Sequence, residues 1–259
     1  MTAYERVCNA RAKGRPTSLS FINAIFKGFI EMHGDRRFAD DGAIVAGIAW
    51  LEDKPVTVIG IEKGVTTKEK VQRNFGSAHP EGYRKALRQM KLAEKFNRPI
   101  VCFVDTSGAA CDMEAEMRGQ AQAIAENLME MMTLKVPIVS ILIGEGGSGG
   151  ALALAVADEV WMLENAVYSV LSPEGAASII WKDSKKAKEA SECLKLTAED
   201  QKELGCIERI FEESDGFESL CTRMNMALVE VFRQLRQRSV PELLERRYQK
   251  YRRIGGARS

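Results

Sequence analysis

The sequence predicts an α/β layer fold built on a mostly parallel sheet, and two features carry that prediction. Residues 99–104 and 136–143 are nearly continuous apolar runs, as expected of strands buried on both faces. Beside them lie segments whose apolar residues recur at three- and four-residue spacing, the pattern of amphipathic helices. Strands alternating with helices pack as one sheet covered by helices.

Residues 1–40 read as helical and polar, closing with His33-Gly34-Asp35-Arg36-Arg37-Phe38. Residues 43–50 and 55–61 are β-branched-rich and flank Glu52-Asp53-Lys54, which reads as a hairpin. Helix 80–96 follows from the stripe Tyr83, Ala86, Leu87, Met90, Ala93 and Phe96, with Pro80 suited to its first position. The run 99–104 ends in Asp105-Thr106-Ser107-Gly108. A second amphipathic helix covers Ala121, Ile124, Ala125, Leu128, Met131 and Met132. The run 136–143 leads into Gly144-Glu145-Gly146-Gly147-Ser148-Gly149-Gly150, where a helix is expected to start. Short strands are expected at 160–163 and 168–171. Ser172-Pro173-Glu174 has the form of cap, first position and acidic first turn, and Thr197 with Asp200 suggests another cap. From residue 217 onward the chain reads as helical and charged, with basic clusters at Arg246-Arg247 and Arg252-Arg253. No repeat or linker divides it. The expected organisation is a single domain, 1–259: a helical segment 1–40, a core 41–211 and C-terminal helices 212–259.

The 259 residues carry 37 basic and 36 acidic side chains, so net charge gives no support to a nucleic-acid or membrane-surface role. Six scattered cysteines form no C-x-x-C pair, which argues against a zinc ribbon and for reduced thiols in a cytoplasmic setting. The first residues lack the apolar stretch of a secretory signal. Residues 136–143 are too few to span a bilayer.

The glycine-rich segment 144–150 admits three chemistries. It fits G-x-G-x-x-G through Gly144, Gly146 and Gly149, and Glu164 lies where a ribose-binding acid would stand. It also fits G-x-S-x-G around Ser148. A hydrolase triad in that order fails, because the two histidines, His33 and His79, both precede Ser148. The third reading needs backbone alone: amides at a strand-to-helix turn hold an oxyanion, one good donor being worth roughly 2.7–4 kcal/mol. The plainer alternative is that these glycines let a helix pack closely on the sheet.

Taken together, Arg15-Pro16-Thr17, His33-Gly34-Asp35-Arg36, Lys63-Gly64, Thr67-Lys68-Glu69, Arg73-Asn74-Phe75-Gly76, the segment 80–86, Asp105-Thr106, Arg118-Gly119-Gln120, the segment 144–151 and Ser172-Pro173-Glu174-Gly175 resemble the acetyl-CoA carboxylase carboxyltransferase alpha family. The ordered matches extend from about Tyr4 to Ile210, and Arg246-Arg247-Tyr248 resembles the family's tail. The resemblance implies a crotonase-like fold of the ClpP/crotonase type, a twisted sheet surrounded by helices with helical extensions at both ends. It implies an enzyme that acts only within a complex, moving the carboxyl group of carboxybiotin to acetyl-CoA to give malonyl-CoA for fatty-acid synthesis. The implied partners are a zinc-bearing beta subunit in an α2β2 assembly, biotin carboxyl carrier protein and biotin carboxylase. No cofactor or metal is expected in this chain itself. By analogy, Gly108, Ala109, Gly146 and Gly147 are candidate backbone oxyanion donors. Lys63, Arg73 and Arg84 are candidates for substrate anions, with Ser148 and Gly149 beside them. A biotin-dependent decarboxylase subunit and a non-catalytic assembly subunit are the alternatives. The family usually has proline at the position of Ser107, proline-glycine at Cys111-Asp112 and glutamate at Met117. Aspartate in place of a glycine is expected to strain a positive φ and to repel a nearby oxyanion.

Overall fold

The computed structural model describes residues 1–256. Two helices open the chain, α1 (Ala3–Ala10) and α2 (Ser18–Ile25), α1 being started by the capping box of Thr2 and Glu5. The helical reading of residues 1–40 holds only this far. β1 (Lys27–Glu31) instead pairs antiparallel with β2 (Ile44–Leu51), placing Ile30 opposite Ile48. A free sheet edge and Gly28 at φ 60° override the weak helical pattern there. β2 and β3 (Lys54–Ile61) form the expected hairpin, in register from Ile44↔Ile61 to Leu51↔Lys54, with Glu52 turning at φ 53°.

Next come α3 (Thr67–Gln72) and α4 (Pro80–Lys95), which buries Tyr83, Ala86, Leu87, Met90 and Ala93 as its stripe requires. β4 (Ile100–Thr106) is buried throughout and runs parallel to β3. After α5 (Met113–Met117) and α6 (Gln120–Thr133), β5 (Ile138–Gly147) runs parallel to β4. It is longer than its apolar run, because β7 pairs with its glycine-rich end. α7 (Ser148–Leu152), β6 (Glu159–Leu163) and β7 (Val167–Ser169) complete this part. α8 (Pro173–Trp181) begins at Ser172-Pro173 as expected. α9 (Ala187–Cys193), α10 (Ala198–Glu203), β8 (Arg209–Phe211), α11 (Phe217–Leu235) and α12 (Val240–Arg253) follow.

The sheet order is β1-β2-β3-β4-β5-β6-β8, with β7 beside the end of β5. The first three strands are antiparallel and the rest parallel. One apolar core reaches from Phe21 on α2 to Leu243 on α12, so both helical ends pack on the same sheet. Parallel strands end together, and the chain leaves β4 and β5 side by side. In open α/β sheets such strand ends are where sites form.

Candidate active site

Thr106 stands opposite Gly146 where the two central strands finish. Beyond β4 the chain bends through Gly108 at φ 152°, and beyond β5 it bends at Ser148, which takes φ 57°. The two bends pack directly on each other. A Cβ on Gly147 would lie 2.5 Å from the carbonyl carbon of Ser107 and 3.0 Å from the Thr106 carbonyl oxygen. A Cβ on Gly150 would lie 2.5 Å from the Ala109 nitrogen, 2.8 Å from the Tyr83 hydroxyl and 3.0 Å from the Gly108 carbonyl carbon. Glycine at 147 and 150 is therefore what permits the approach.

The Thr106 hydroxyl ties off the first bend. It accepts from the Gly108 N–H at 3.0 Å and donates to the Gly108 carbonyl at 2.8 Å. The Gly108 amide is thus engaged, whereas the Ala109 N–H has no hydrogen-bond partner among the described residues. Gly146 and Gly147 are not turn residues. They finish β5, in the ladder between β4 and β7, and the turn comes two residues later than the pattern suggested. A cleft of about 20 Å³, room for about one water, lies against Ser107, Gly146, Gly147 and Pro173. Ser148 and Gly149 border a much larger cavity of about 500 Å³, whose mainly apolar wall includes Leu152, Tyr168, Val170 and Tyr251.

An ion-pair chain, buried at Asp105 and opening to solvent at Arg11, stands beneath the bends. Lys63 Nζ lies 2.7 Å from Asp105 Oδ1 and 3.0 Å from Glu145 Oε2, while Arg11 Nε reaches the other Glu145 oxygen at 2.8 Å. Arg11 also holds Glu174 at 2.8 Å. Asp105 Oδ1 accepts from the Glu145 N–H at 2.9 Å, which clips β4 to β5. Burial alone would lower the Lys63 ammonium, but Asp105 and then Glu145 outweigh it and hold it above its ordinary value. Burial likewise would raise Glu145; Lys63 and Arg11 bring it below the usual glutamate range.

The structure gives the other expected anion contacts partners of their own. Arg73 donates to the Gly42 carbonyl at 2.8 Å. Arg84 donates to Asp35 at 2.7 Å and to the Arg118 carbonyl at 3.0 Å, and its side chain is largely buried. All three cations, Lys63 included, are committed to internal partners. No signal in sequence spacing linked Arg11 to Glu145, which tertiary approach makes; the tie from Thr106 to Gly108 is local, two residues apart, and a threonine just before a glycine bend is the signal that could have found it.

Asp112 does not strain the backbone. Its φ is −80°, and it caps α5, accepting the Ala115 N–H at 2.8 Å. That hydrogen bond, with His79 at 3.3 Å, holds its carboxyl below the usual range. The expected glycine-like strain is therefore absent, since aspartate serves as an N-cap instead. His79 faces Asp112 and not Ser148. Glu164 is taken by Arg6 at 2.9 Å and by the Glu213 N–H at 3.1 Å. With Gly144 and Gly146 inside a strand, the dinucleotide reading loses both its turn and its acid. No group of three or more His, Cys, Asp or Glu side chains able to hold a metal occurs among the described residues.

Comparison with known proteins bears on the fold and on the family. Transcarboxylase 12S, solved with methylmalonyl-coenzyme A and methylmalonic acid bound, superposes with a TM-score of 0.71 at 19% identity, over 87% of this chain and 44% of that one. A Pseudomonas malonate decarboxylase hetero-dimer gives a TM-score of 0.67 at 17% identity, over 84% of this chain and 89% of that one. Such identities speak for the fold, which is the crotonase-type architecture of carboxyltransferases. The profile of acetyl co-enzyme A carboxylase carboxyltransferase-like proteins matches residues 1–255. The acetyl-coenzyme A carboxylase carboxyl transferase subunit alpha of Ruminiclostridium cellulolyticum is 62% identical over 256 residues, 98% of each chain. The corresponding subunits beta/alpha protein of Natranaerobius thermophilus is 57% identical over 261 residues, 98% of this chain and 43% of that longer one. This chain belongs to the acetyl-CoA carboxylase carboxyltransferase alpha family.

Proposed function

We propose that the chain works as the alpha half of a biotin-dependent carboxyltransferase, and that its contribution to catalysis is backbone. Carboxyl transfer to acetyl-CoA creates two transient oxyanions. Loss of the α-proton puts charge on the thioester oxygen, and release of the carboxyl group puts charge on the ureido oxygen of biotin. The observation that carries the reading is the mutual packing of the β4 and β5 bends beside a mainly apolar cavity of about 500 Å³. Ala109 offers an unengaged N–H, and Thr106 orders the Gly108 bend next to it. Gly108, Gly146 and Gly147 then act as the frame that fixes the donor, through one ladder and one tied turn. Preorganised donors of this kind are worth roughly 2.7–4 kcal/mol each.

Ser148 and Gly149 border the room into which a carrier-linked carboxybiotin arm fits, its apolar rings and tether matching the apolar wall. The biotin ureido anion takes the α-proton, so no titrating side chain of this chain is required. Lys63, Arg73 and Arg84 position the scaffold through their internal pairs. The proposed partners are a beta subunit that brings acetyl-CoA and its own zinc, in an α2β2 assembly, with biotin carboxyl carrier protein and biotin carboxylase supplying carboxybiotin in the cytoplasm. Among the described residues no helix is long and apolar enough to cross a membrane.

The test is reconstitution. The purified chain is mixed with its beta subunit and biotinylated carrier, and malonyl-CoA is followed from acetyl-CoA and carboxybiotin. Product is expected only when both subunits are present. A complex that moves the carboxyl group of a malonyl thioester onto biotin for release as CO2, and does not carboxylate acetyl-CoA, would replace this reading with the biotin-dependent decarboxylase one. A complex that assembles and does neither would leave an assembly subunit.

A further inference from the structure

The basic C-terminal clusters take a shape in the structure that carboxyl transfer leaves unused. A concave cavity of about 450 Å³ opens beside α12, and its wall includes Arg238, Arg246, Arg247, Lys250 and Arg253 together with Leu204. Its two carboxylates are already neutralised. Asp158 is held by the wholly buried Arg247 at 2.7 and 2.9 Å, and Glu208 by Lys250 at 2.8 Å. Three guanidinium groups remain. Arg238 and Arg246 share one carboxylate, Glu242, each at 4.0 Å, the outer limit of an ion pair. Arg253 has no acidic partner among the described residues. Like charges gathered in a concave wall focus the field on any anion that enters. Arginine in particular offers planar forks that match phosphate oxygens two at a time.

The volume decides between kinds of anion. A cavity this size encloses a small molecule; it is not the broad, flat face that a folded acidic protein needs. Its floor also argues for ligand. Lys250 is largely buried, and burial pushes its ammonium below the ordinary lysine value despite Glu208. A further negative charge in the cavity would relieve that cost. Ile254 lies on the wall of this cavity and also of the apolar one that meets Ser148, so the two are divided by the end of α12.

We propose that this cavity is a binding site for a phosphate-bearing small molecule, held by Arg238, Arg246 and Arg253. The proposal rests on charge and shape alone and does not depend on the carboxyltransferase reading. Phosphate of this kind has two sources: the phosphorylated end of a coenzyme A thioester, or a free nucleotide-like effector.

Calorimetric titration of the full chain with inorganic pyrophosphate, at low salt and without divalent metal, tests it. Saturable binding is expected, weakened about tenfold or more in the double variant Arg246→Gln/Arg253→Gln. It should be unchanged in Arg233→Gln, whose side chain is exposed and paired to Glu230 on α11. Should the double variant melt early, Arg238→Gln supplies the same comparison. Absence of saturable binding, binding indifferent to these arginines, or tighter binding of a hexaglutamate peptide would each overturn the proposal. Titration with coenzyme A, dephospho-coenzyme A and ATP then separates the sources. Preference for coenzyme A over its dephospho form points to the substrate's terminal phosphate, and equal binding of ATP points to a free effector.

Discussion

Lys63 is placed to repel or attract a great deal with one charge. Its ammonium lies within 3.0 Å of both Asp105 and Glu145, on the strands whose ends make the bends. Removing it leaves two carboxylates facing each other in a poorly solvated site, with Arg11 reaching only Glu145. Losing one partner of a buried ion group costs about 3–5 kcal/mol, and Lys63→Met is expected to lie in that range at neutral pH. The pH dependence has two edges. Glu145 is held below its ordinary range in the folded chain, so its contribution is present above the ordinary glutamate value near 4.3 and is lost as pH falls through the lowered one. Lys63 is held above its ordinary range, so its contribution is present below about 10.4 and is lost as pH rises through the raised value. Urea midpoints measured from pH 3 to pH 11, taken as about the usable span, should show the wild type and Lys63→Met furthest apart in the middle and converging at the acid end. A gap that stays constant with pH would mean that the variant acts through lost packing. Nothing in the sequence spacing foretold this cluster: Lys63 read as a candidate for a substrate anion because its partners lie 42 and 82 residues away along the chain.

At the scale of elements, α12 shows what sequence patterning reveals and what it hides. Arg246 and Arg247 look alike as neighbours in a basic cluster. On a helix, adjacent residues point about 100° apart, and the structure sends them to opposite fates. Arg246 is exposed, while Arg247 is 1% exposed and donates to the carbonyls of Met131, Leu134 and Val136 and to Asp158. It therefore closes the C-terminal end of α6 and the loop into β5. Arg247→Ala is expected to cost about 3–5 kcal/mol, through an uncompensated Asp158 and orphaned carbonyls, whereas Arg246→Ala should stay within about 0.5 kcal/mol. Chemical denaturation of the two variants checks the contrast, and equal losses would refute the clamp. The same contrast governs which elements were legible. β4 and β5 announced themselves, because a strand buried on both faces must be apolar along its length. α8 was legible from Ser172-Pro173, because a cap is local chemistry. β1 was not, since an edge strand is chosen by the neighbour it pairs with. The glycine turn was misplaced by two residues for a related reason: β7, distant in sequence pattern, extends β5 through Gly146 and Gly147.

For the molecule as a whole, a single core spanning α2 to α12 implies that local opening cannot expose the middle of the sheet. The cysteines report on this without any added probe. Cys8, Cys111 and Cys193 are exposed, whereas Cys102 on β4 and Cys221 on α11 are buried. Burial also pushes the Cys102 thiol up to about 12 and the Cys221 thiol up to about 11, and the thiolate is the reacting form. Both access and ionisation therefore protect the core pair, while Cys206, half-buried and also raised, should fall between the groups. With the purified chain at pH 8, about the usual condition for thiol labelling, the three exposed cysteines should react first in a mass-resolved time course. Cys102 and Cys221 should then label together, at a rate set by global unfolding, because α11 packs across the same core that β4 runs through. Early and separate labelling of Cys221 would show that the C-terminal helices open as an independent unit, and the one-core description would have to yield to a sheet domain with a detachable helical cover.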